Sequence, residues 1–245
     1  MANLHNTPTS PFLYCFLANI AGDDAPARLL ASAVKICLQT TGKNNNAAAE
    51  CILQLDQDFG PFSKWDTSRI VSMAHMFQQC ATFNADISKW NVSRVTNMGG
   101  AFQAAQKFNA DLSKWDVSSV TSMKTLFKSA SSFNSDISKW HVSNVKNMHG
   151  MFWNAIAFNR DISKWNVARV KDFENMFSSA KNFSQRLCGA AWVAARKNIG
   201  VNKMSMFSRS SGSISSTVCD ECVDSGRGTC GSPRHVGDSI CDDKK

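Results

Sequence analysis

The stretch that decides the fold is DISKWNVSRVTNMGGAFQAAQKFN, residues 86–109, which recurs along the chain at a spacing of 25 residues. When the chain is compared with itself at that shift, aromatic, aliphatic and sulfur-containing residues fall into columns. The columns are Trp65, Trp90, Trp115, Trp140 and Trp165; Phe77, Phe102, Phe127, Phe152 and Phe177; Phe83, Phe108, Phe133, Phe158 and Phe183; Met73, Met98, Met123 and Met148, with Phe173 in the last repeat; and Ile87, Leu112, Ile137, Ile162 and Leu187. Chance does not produce such alignment, so the sequence predicts a tandem array of about five repeats.

Each repeat is too short to bury its own apolar side chains, so neighbouring repeats must stack and share one core. The half F-N-x-D-I-S-K-W-x-V alternates in polarity, which predicts a short strand. The half V-x-x-M-x-x-x-F-x-x-A has three- and four-residue spacings, which predict a short helix or helical turn. The expected fold is an α/β solenoid of strand-plus-helix coils. The aromatic columns are then core ladders; the alternative is an exposed Trp array that stacks on sugars.

Two further columns have a structural interpretation. The small residues Cys80, Ala105, Ala130, Ala155 and Ala180 mark a close approach of backbone elements. A column of Asn side chains is expected to form an internal ladder that satisfies backbone groups at the turn. Its members are Asn84, Asn109, Asn134 and Asn159, with Ser184 at the end.

The repeated W-x-V-S-x-V-x-x-M-x-x-x-F signature resembles the repeats of BspA-like leucine-rich-repeat surface proteins. The resemblance covers about half of the chain, from Phe62 to Leu187. It implies a leucine-rich-repeat-like solenoid that is secreted or attached to the cell surface and that functions in adhesion or protein binding. The end repeats depart from the pattern at Thr67 and Arg186, among other positions, as capping repeats do.

The sequence divides into four regions. Residues 1–57 are expected to form a helical N-terminal cap, with helices over 26–40 and 47–55 and a weak signal segment from Pro11 to Ala21. For that segment, a buried apolar stretch or a true start farther upstream are the alternatives. Residues 58–190 form the repeat array, residues 191–218 a C-terminal cap and flexible Ser-rich linker, and residues 219–245 a Cys-rich tail.

Two charged columns are the candidate binding residues. The basic stripe consists of Lys64, Lys89, Lys114, Lys139 and Lys164, and the acidic ladder consists of Asp86, Asp111, Asp136 and Asp161. One interpretation is a pair of solvated ladders that screen each other and discourage sheet aggregation. A second is that the stripe binds an anionic polymer or an acidic protein. A third is that adjacent carboxylates of the ladder share calcium.

The tail holds Cys219, Cys222, Cys230 and Cys241, whose spacing does not match common zinc-ribbon patterns. Disulfides, free thiols and a zinc site remain open interpretations, and the compartment decides among them. With nine Cys in the chain, one must stay unpaired. The remaining Cys are expected to be buried or free: Cys15, Cys37, Cys51, Cys80 and Cys188.

The composition is compatible with a folded protein that binds anions. The chain has 245 residues, 43% of them hydrophobic, and a net charge of +8. The five His share no repeat column, and no nucleophile elbow, phosphate loop or HExxH pattern occurs. We therefore expect a non-catalytic binding or adhesion module, extracellular or at the cell surface, that recognises a protein or glycan and needs no cofactor. The alternatives are a structural scaffold, a tail-dependent metal-binding protein and a cytoplasmic location. No stretch is long enough to span a membrane, and no nucleic-acid recognition motif is present.

Overall fold

The computed structural model describes residues 62–219. The predicted N-terminal cap, the signal segment Pro11 to Ala21, Cys15, Cys37 and Cys51 lie outside the described residues, as do Cys222, Cys230 and Cys241. We number five units of the described part as residues 62–86, 87–111, 112–136, 137–161 and 162–186. Residues 187–219 are called the C-terminal segment.

Regular secondary structure is sparse in the described part. A 3₁₀ turn spans Phe62–Lys64. The other elements lie at the end of unit 5 and in the C-terminal segment: strand β1 at Arg186–Leu187, helix α1 at Ala190–Lys197 and strand β2 at Ser213–Ile214. The two strands pair in parallel, with Arg186 opposite Ser213. Most of the chain between residues 65 and 185 therefore consists of turns and isolated bridges.

Successive units lie side by side in chain order and are joined by backbone hydrogen bonds. Parallel bridges link one position of each unit to the same position of the next; they connect Ser72, Asn97, Ser122, Asn147, Asp172 and Asn202 in turn. Between units 1 and 2, the N–H groups of Met73, His75 and Phe77 donate to carbonyls of residues 97, 99 and 101. The register is therefore one unit, or 25 residues, between equivalent positions through unit 5.

The half of the repeat expected to be helical provides these inter-unit bonds. In unit 1, the N–H groups of Met76, Gln78 and Cys80 bond within the unit to the carbonyl three residues earlier, as in successive turns. His75 and Gln79 adopt positive φ values of 59° and 64°. These left-handed residues interrupt any helix and turn alternate N–H groups toward the next unit. The three- and four-residue spacing of apolar residues therefore arises from linked turns. The half expected to be a strand contains none in residues 62–185.

The core is a set of aromatic stacks that run through the units. Phe102 lies 5.4 Å from Phe77 and 5.7 Å from Phe127, ring centroid to ring centroid, with nearly parallel planes. A second stack, of the column that begins at Phe83, has spacings of 5.8 to 6.0 Å. Within each unit the two Phe rings are about as close as stacked rings come, for example 3.7 Å between Phe127 and Phe133.

The Trp column is also part of the core, as the sequence predicted. The five Trp side chains are between 2% and 8% exposed. The indole N–H of Trp140 donates to the Leu112 carbonyl at 3.0 Å, and that of Trp165 to the Ile137 carbonyl at 3.0 Å. Trp115 bonds in the same way to the Ile87 carbonyl. All five Trp side chains therefore belong to the core, which excludes an exposed sugar-stacking role for these rings.

The C-terminal segment continues the stack, although its sequence spacing differs. Phe207 stacks on Phe177 at 5.4 Å, and the indole of Trp192 in helix α1 donates to the Ile162 carbonyl at 2.9 Å. The Ser-rich stretch 208–217 contains strand β2, and Ser215 is buried. The prediction that this stretch is a flexible linker is wrong, because its backbone pairs with β1.

Candidate binding face

The predicted Lys column lies on a strip of surface that each unit exposes in the same way. In unit 2, Lys89, Asn91 and Arg94 are exposed, because Trp90 and Val92 between them turn into the core. The equivalents of Lys89 and Asn91 are exposed in the other units as well, whereas Ser119 and Asn144, the equivalents of Arg94 in units 3 and 4, are half-buried. We define the basic face as the exposed positions of residues 64–71, 89–96, 114–121, 139–146 and 164–171.

The basic face carries far more positive than negative charge. Its five segments contain ten Lys or Arg residues and two acids, Asp66 and Asp116. All five Lys of the predicted stripe are exposed, and no ion pair found in residues 62–219 involves them. The Lys column alone does not account for this excess, since Arg94, Lys146 and Lys171 add to it from neighbouring columns.

The Asp ladder borders this face, and its carboxylates cap turns. Asp111 Oδ1 accepts the Ser113 N–H at 2.9 Å. The backbone and hydroxyl hydrogen bonds of Ser113 hold the pKa of Asp111 below its ordinary value, and the charge of Lys114 contributes less. Asp86, Asp136 and Asp161 cap the same turn in their units. The ladder thus has a structural role, and none of its members belongs to a cluster of three metal-ligating side chains in the described residues.

The Asn ladder predicted from the sequence is present at the surface. Asn84 Oδ1 accepts the backbone N–H of Asn109 at 2.8 Å, and Asn109 Oδ1 accepts that of Asn134 at 2.8 Å. The ladder continues through Asn159 and ends at the Ser184 N–H. Each side chain therefore satisfies a backbone donor of the next unit, as predicted, but the ladder is exposed or half-exposed and the prediction that it is internal was wrong.

The Cys residues follow the sequence prediction only in part. Cys80 is free and buried, as predicted, and burial raises the pKa of its thiol. Cys188, predicted to be buried or free, instead forms a disulfide with Cys219, and the two Cα atoms are 5.1 Å apart. The prediction was wrong because strand pairing brings residue 219 back to residue 188, where the Cys219 N–H donates to the Cys188 carbonyl. No sequence spacing signals a pair that forms through this fold-back.

One cluster of potential ligands was not found from the sequence. His149, Asp172 and Glu174 come from units 4 and 5, and the ligand atoms of all three lie within 4.8 Å of one another. The sequence does contain a signal for this cluster. Two repeat columns that lie two residues apart bring carboxylates beside an imidazole only at the junction of units 4 and 5. Neither column reveals the cluster when it is considered alone.

Comparison with known proteins adds a family assignment. The family described as "Mycoplasma protein of unknown function, DUF285" matches residues 46–141 and 113–216, which together cover most of the chain. The chain belongs to the DUF285 family. This repeat family is related to BspA-like surface repeat proteins, in line with the resemblance noted above. Neither a curated protein nor a solved structure matches this DUF285 chain. In residues 62–219, no helix is long and apolar enough to cross a membrane.

Proposed function

We propose that this chain is a non-catalytic binding or adhesion module, outside the cell or at its surface, whose basic face recognises an anionic protein or glycan. The observation that carries the proposal is the charge of that face, with ten basic residues against two acids in five equivalent exposed segments. A charge arranged in this regular way raises the local concentration of a polyanion and its rate of association.

The architecture that we propose for this module is a short leucine-rich-repeat-like solenoid. The inter-unit bridges and the continuous Phe stacks support it, because each unit contacts its neighbours in chain order. Parallel backbones pair at about 5 Å, so four steps spread equivalent Lys residues over roughly 20 Å. A row of charges of that length suits an extended polymer or an acidic protein edge better than a small molecule.

The disulfide supports an extracellular location. Cys188 and Cys219 bond at the junction between the stacked units and the tail. Disulfides persist in oxidising compartments and are rare in the cytosol of most organisms. The proposed location is therefore the cell exterior, where this bond holds Cys219 beside Cys188.

The non-catalytic character rests on what the repeated polar residues do. Asp111 and its equivalents cap turns, and Asn109 and its equivalents accept hydrogen bonds from the next unit. These roles account for columns that would otherwise be candidates for acid–base chemistry. The five exposed Lys residues of the stripe have no such role in residues 62–219, so they are the residues that we assign to binding.

The test is charge reversal on the face, compared with an equal reversal elsewhere. The face variant changes Lys89, Lys114 and Lys139 to Glu. The matched control changes three exposed Lys residues outside the face to Glu, and it alters the net charge equally: Lys107, Lys124 and Lys181. The probes are a sulfated polysaccharide, a polyglutamate peptide and a neutral polysaccharide, measured by calorimetry.

We expect the wild type and the control to bind at least one anionic probe, and the face variant to bind it at least tenfold more weakly. No binding of either anionic probe by the wild type would contradict the proposal and favour a scaffold. Equal losses in the face variant and the control would show that net charge, and not this face, determines binding.

A further inference from the structure

A second feature, separate from the basic face, lies at the junction of units 4 and 5. His149 Nδ1 is 3.7 Å from Asp172 Oδ2 and 3.9 Å from Glu174 Oε2. These separations exceed the 2.7–2.9 Å or so of a charge-assisted hydrogen bond. The imidazole nitrogen therefore faces both carboxylates without bonding to either, and the three groups surround a common point.

We propose that His149, Asp172 and Glu174 form a binding site for a divalent transition-metal ion, of which Zn²⁺ is the representative. Zinc binds imidazole nitrogen and carboxylate oxygen at about 2.0–2.2 Å, which places ligand atoms of a tetrahedral site about 3.3–3.5 Å apart. The two separations between the imidazole and the carboxylates are a few tenths of an ångström larger, and all three ligand atoms lie within 4.8 Å of one another. A small side-chain movement closes the site around an ion.

Both carboxylates of the cluster also accept hydrogen bonds from neighbouring groups. Asp172 Oδ1 accepts the Glu174 N–H at 2.9 Å, which leaves Oδ2 directed at the imidazole. Glu174 accepts hydrogen bonds from the side chains of Asn202, at 2.9 Å to Oε2, and Asn175, at 3.3 Å to Oε1. Outer partners of this kind orient metal ligands and tune their affinity.

The backbone fixes the relative position of the ligands. A parallel bridge pairs Asn147 with Asp172, so His149 and Glu174, two residues farther along each unit, occupy equivalent positions. Asn147 Oδ1 caps the His149 N–H at 2.8 Å, as Asp172 does for Glu174. His149 and Glu174 are therefore held by the same kind of turn in adjacent units, and Asp172 is itself the capping residue of the second turn.

Solvent access and composition suit an ion with an open coordination position. The side chains of His149, Asp172 and Glu174 are 22%, 27% and 24% exposed. Three protein ligands leave at least one position for water. The imidazole favours zinc, cobalt or nickel over calcium or magnesium, which prefer oxygen ligands alone.

The columns themselves supply a comparison among the units. The equivalents of Asp172 and Glu174 are Asn97 and Gly99 in unit 2, and Ser122 and Lys124 in unit 3. Neither pair offers two carboxylates, so among the described units only this junction holds the full set. The proposed site is a local addition to the repeat and is independent of the proposed function.

The experiment measures Zn²⁺ and Co²⁺ binding to the full chain after removal of any His tag. Asp172→Asn keeps the oxygen that caps the turn, as Asn does at positions 97, 147 and 202, so this variant is expected to fold. Glu174→Gln and His149→Gln remove the other two ligands. Asp161→Asn is the control, because Asp161 caps a similar turn outside the cluster. Thermal denaturation without metal shows whether each variant is folded.

We expect each ligand variant to lose one equivalent of Zn²⁺, or to bind it at least about tenfold more weakly, while the control binds as the wild type does. Co²⁺ is expected to show a visible absorption band that the same variants lose. Mg²⁺ at equal concentration is expected not to displace Zn²⁺. Ions bound by the tail or by other His residues contribute equally to the wild type and to every variant, so they do not affect the comparison. Unchanged stoichiometry and affinity in the folded variants, or no saturable Zn²⁺ site in the wild type below about 1 mM, would overturn the proposal.

Discussion

Removal of one ring from the middle of the Phe stack tests the shared core directly. Phe127 is fully buried, lies 3.7 Å from Phe133 in its own unit, and stacks on Phe102 and Phe152 in the neighbouring units. Loss of its ring removes roughly 100 Å² of apolar surface from the core, or about 2.5 kcal/mol. Loss of stacking adds about 0.5–1.5 kcal/mol. We therefore expect Phe127→Ala to lower the free energy of unfolding by about 3–4 kcal/mol, within the range for buried Phe.

The assay is urea unfolding followed by Trp fluorescence and circular dichroism. Phe207→Ala is the comparison, since Phe207 is only partly buried and stacks on rings of one neighbouring unit, at 5.4 Å from Phe177. We expect Phe207→Ala to lower the free energy of unfolding by about half as much as Phe127→Ala does. Phe127→Leu, a milder change, keeps the test informative if Phe127→Ala does not fold. A loss below about 1 kcal/mol at Phe127, or a cost equal to that at Phe207, would refute the continuous core.

The remaining predictions concern single interactions. Trp140→Phe removes an indole hydrogen bond to the preceding unit, and urea unfolding should show a loss of about 1–3 kcal/mol. Ala104 has a left-handed backbone conformation, with φ 59°, which glycine adopts without steric cost. Ala104→Gly should therefore raise the free energy of unfolding, in the same measurement, by up to about 1 kcal/mol. Reduction of the disulfide between Cys188 and Cys219, which closes a separation of 31 residues, should cost about 2–4 kcal/mol and lower the Tm. The hydrogen bonds that lower the pKa of Asp136 stabilise the fold at pH values above the ordinary pKa of Asp, near 4. Their contribution to stability should be lost as the pH falls through the lowered pKa of the folded state. An NMR titration that gives Asp136 a pKa above the ordinary value would contradict this.

Much of the core could be predicted from the sequence, because the stack repeats the same side chains in the same environment. The Trp column proved buried, and Asn109 and its equivalents proved to form the predicted ladder. The local backbone could not be predicted in the same way. Met73, Met76, Phe77 and Cys80 have the spacing of a helix face, but linked turns with left-handed residues produce the same spacing.

The C-terminal segment shows a second limit of sequence periodicity. The distance from Phe177 to Phe207 is 30 residues, because helix α1 adds length to the unit, so an alignment at a shift of 25 misses it. Ser and Gly between 208 and 217 resemble a linker in composition, yet the backbone of Ser213 and Ile214 pairs with β1. Backbone pairing requires little of the side chains, and composition alone therefore does not reveal it.

The two candidate sites differ in how much of each could be predicted from the sequence. The basic face follows from the alternation of buried and exposed residues around Trp90, although its charge excess depends on columns that vary between units. The cluster of His149, Asp172 and Glu174 depends on contacts across units and becomes visible only when neighbouring columns are placed side by side.

The most direct test of the account is the salt dependence of binding to a sulfated polysaccharide. The affinity of the wild type is measured by calorimetry from low to high salt, beside the variant with Lys89, Lys114 and Lys139 changed to Glu. Salt screens exposed charges over about 10 Å at 0.1 M. We expect the wild-type affinity to fall steeply with salt, and the variant to bind weakly at every salt concentration with a shallower dependence. Equal affinities and equal slopes for the two proteins would contradict the assignment of binding to the basic face.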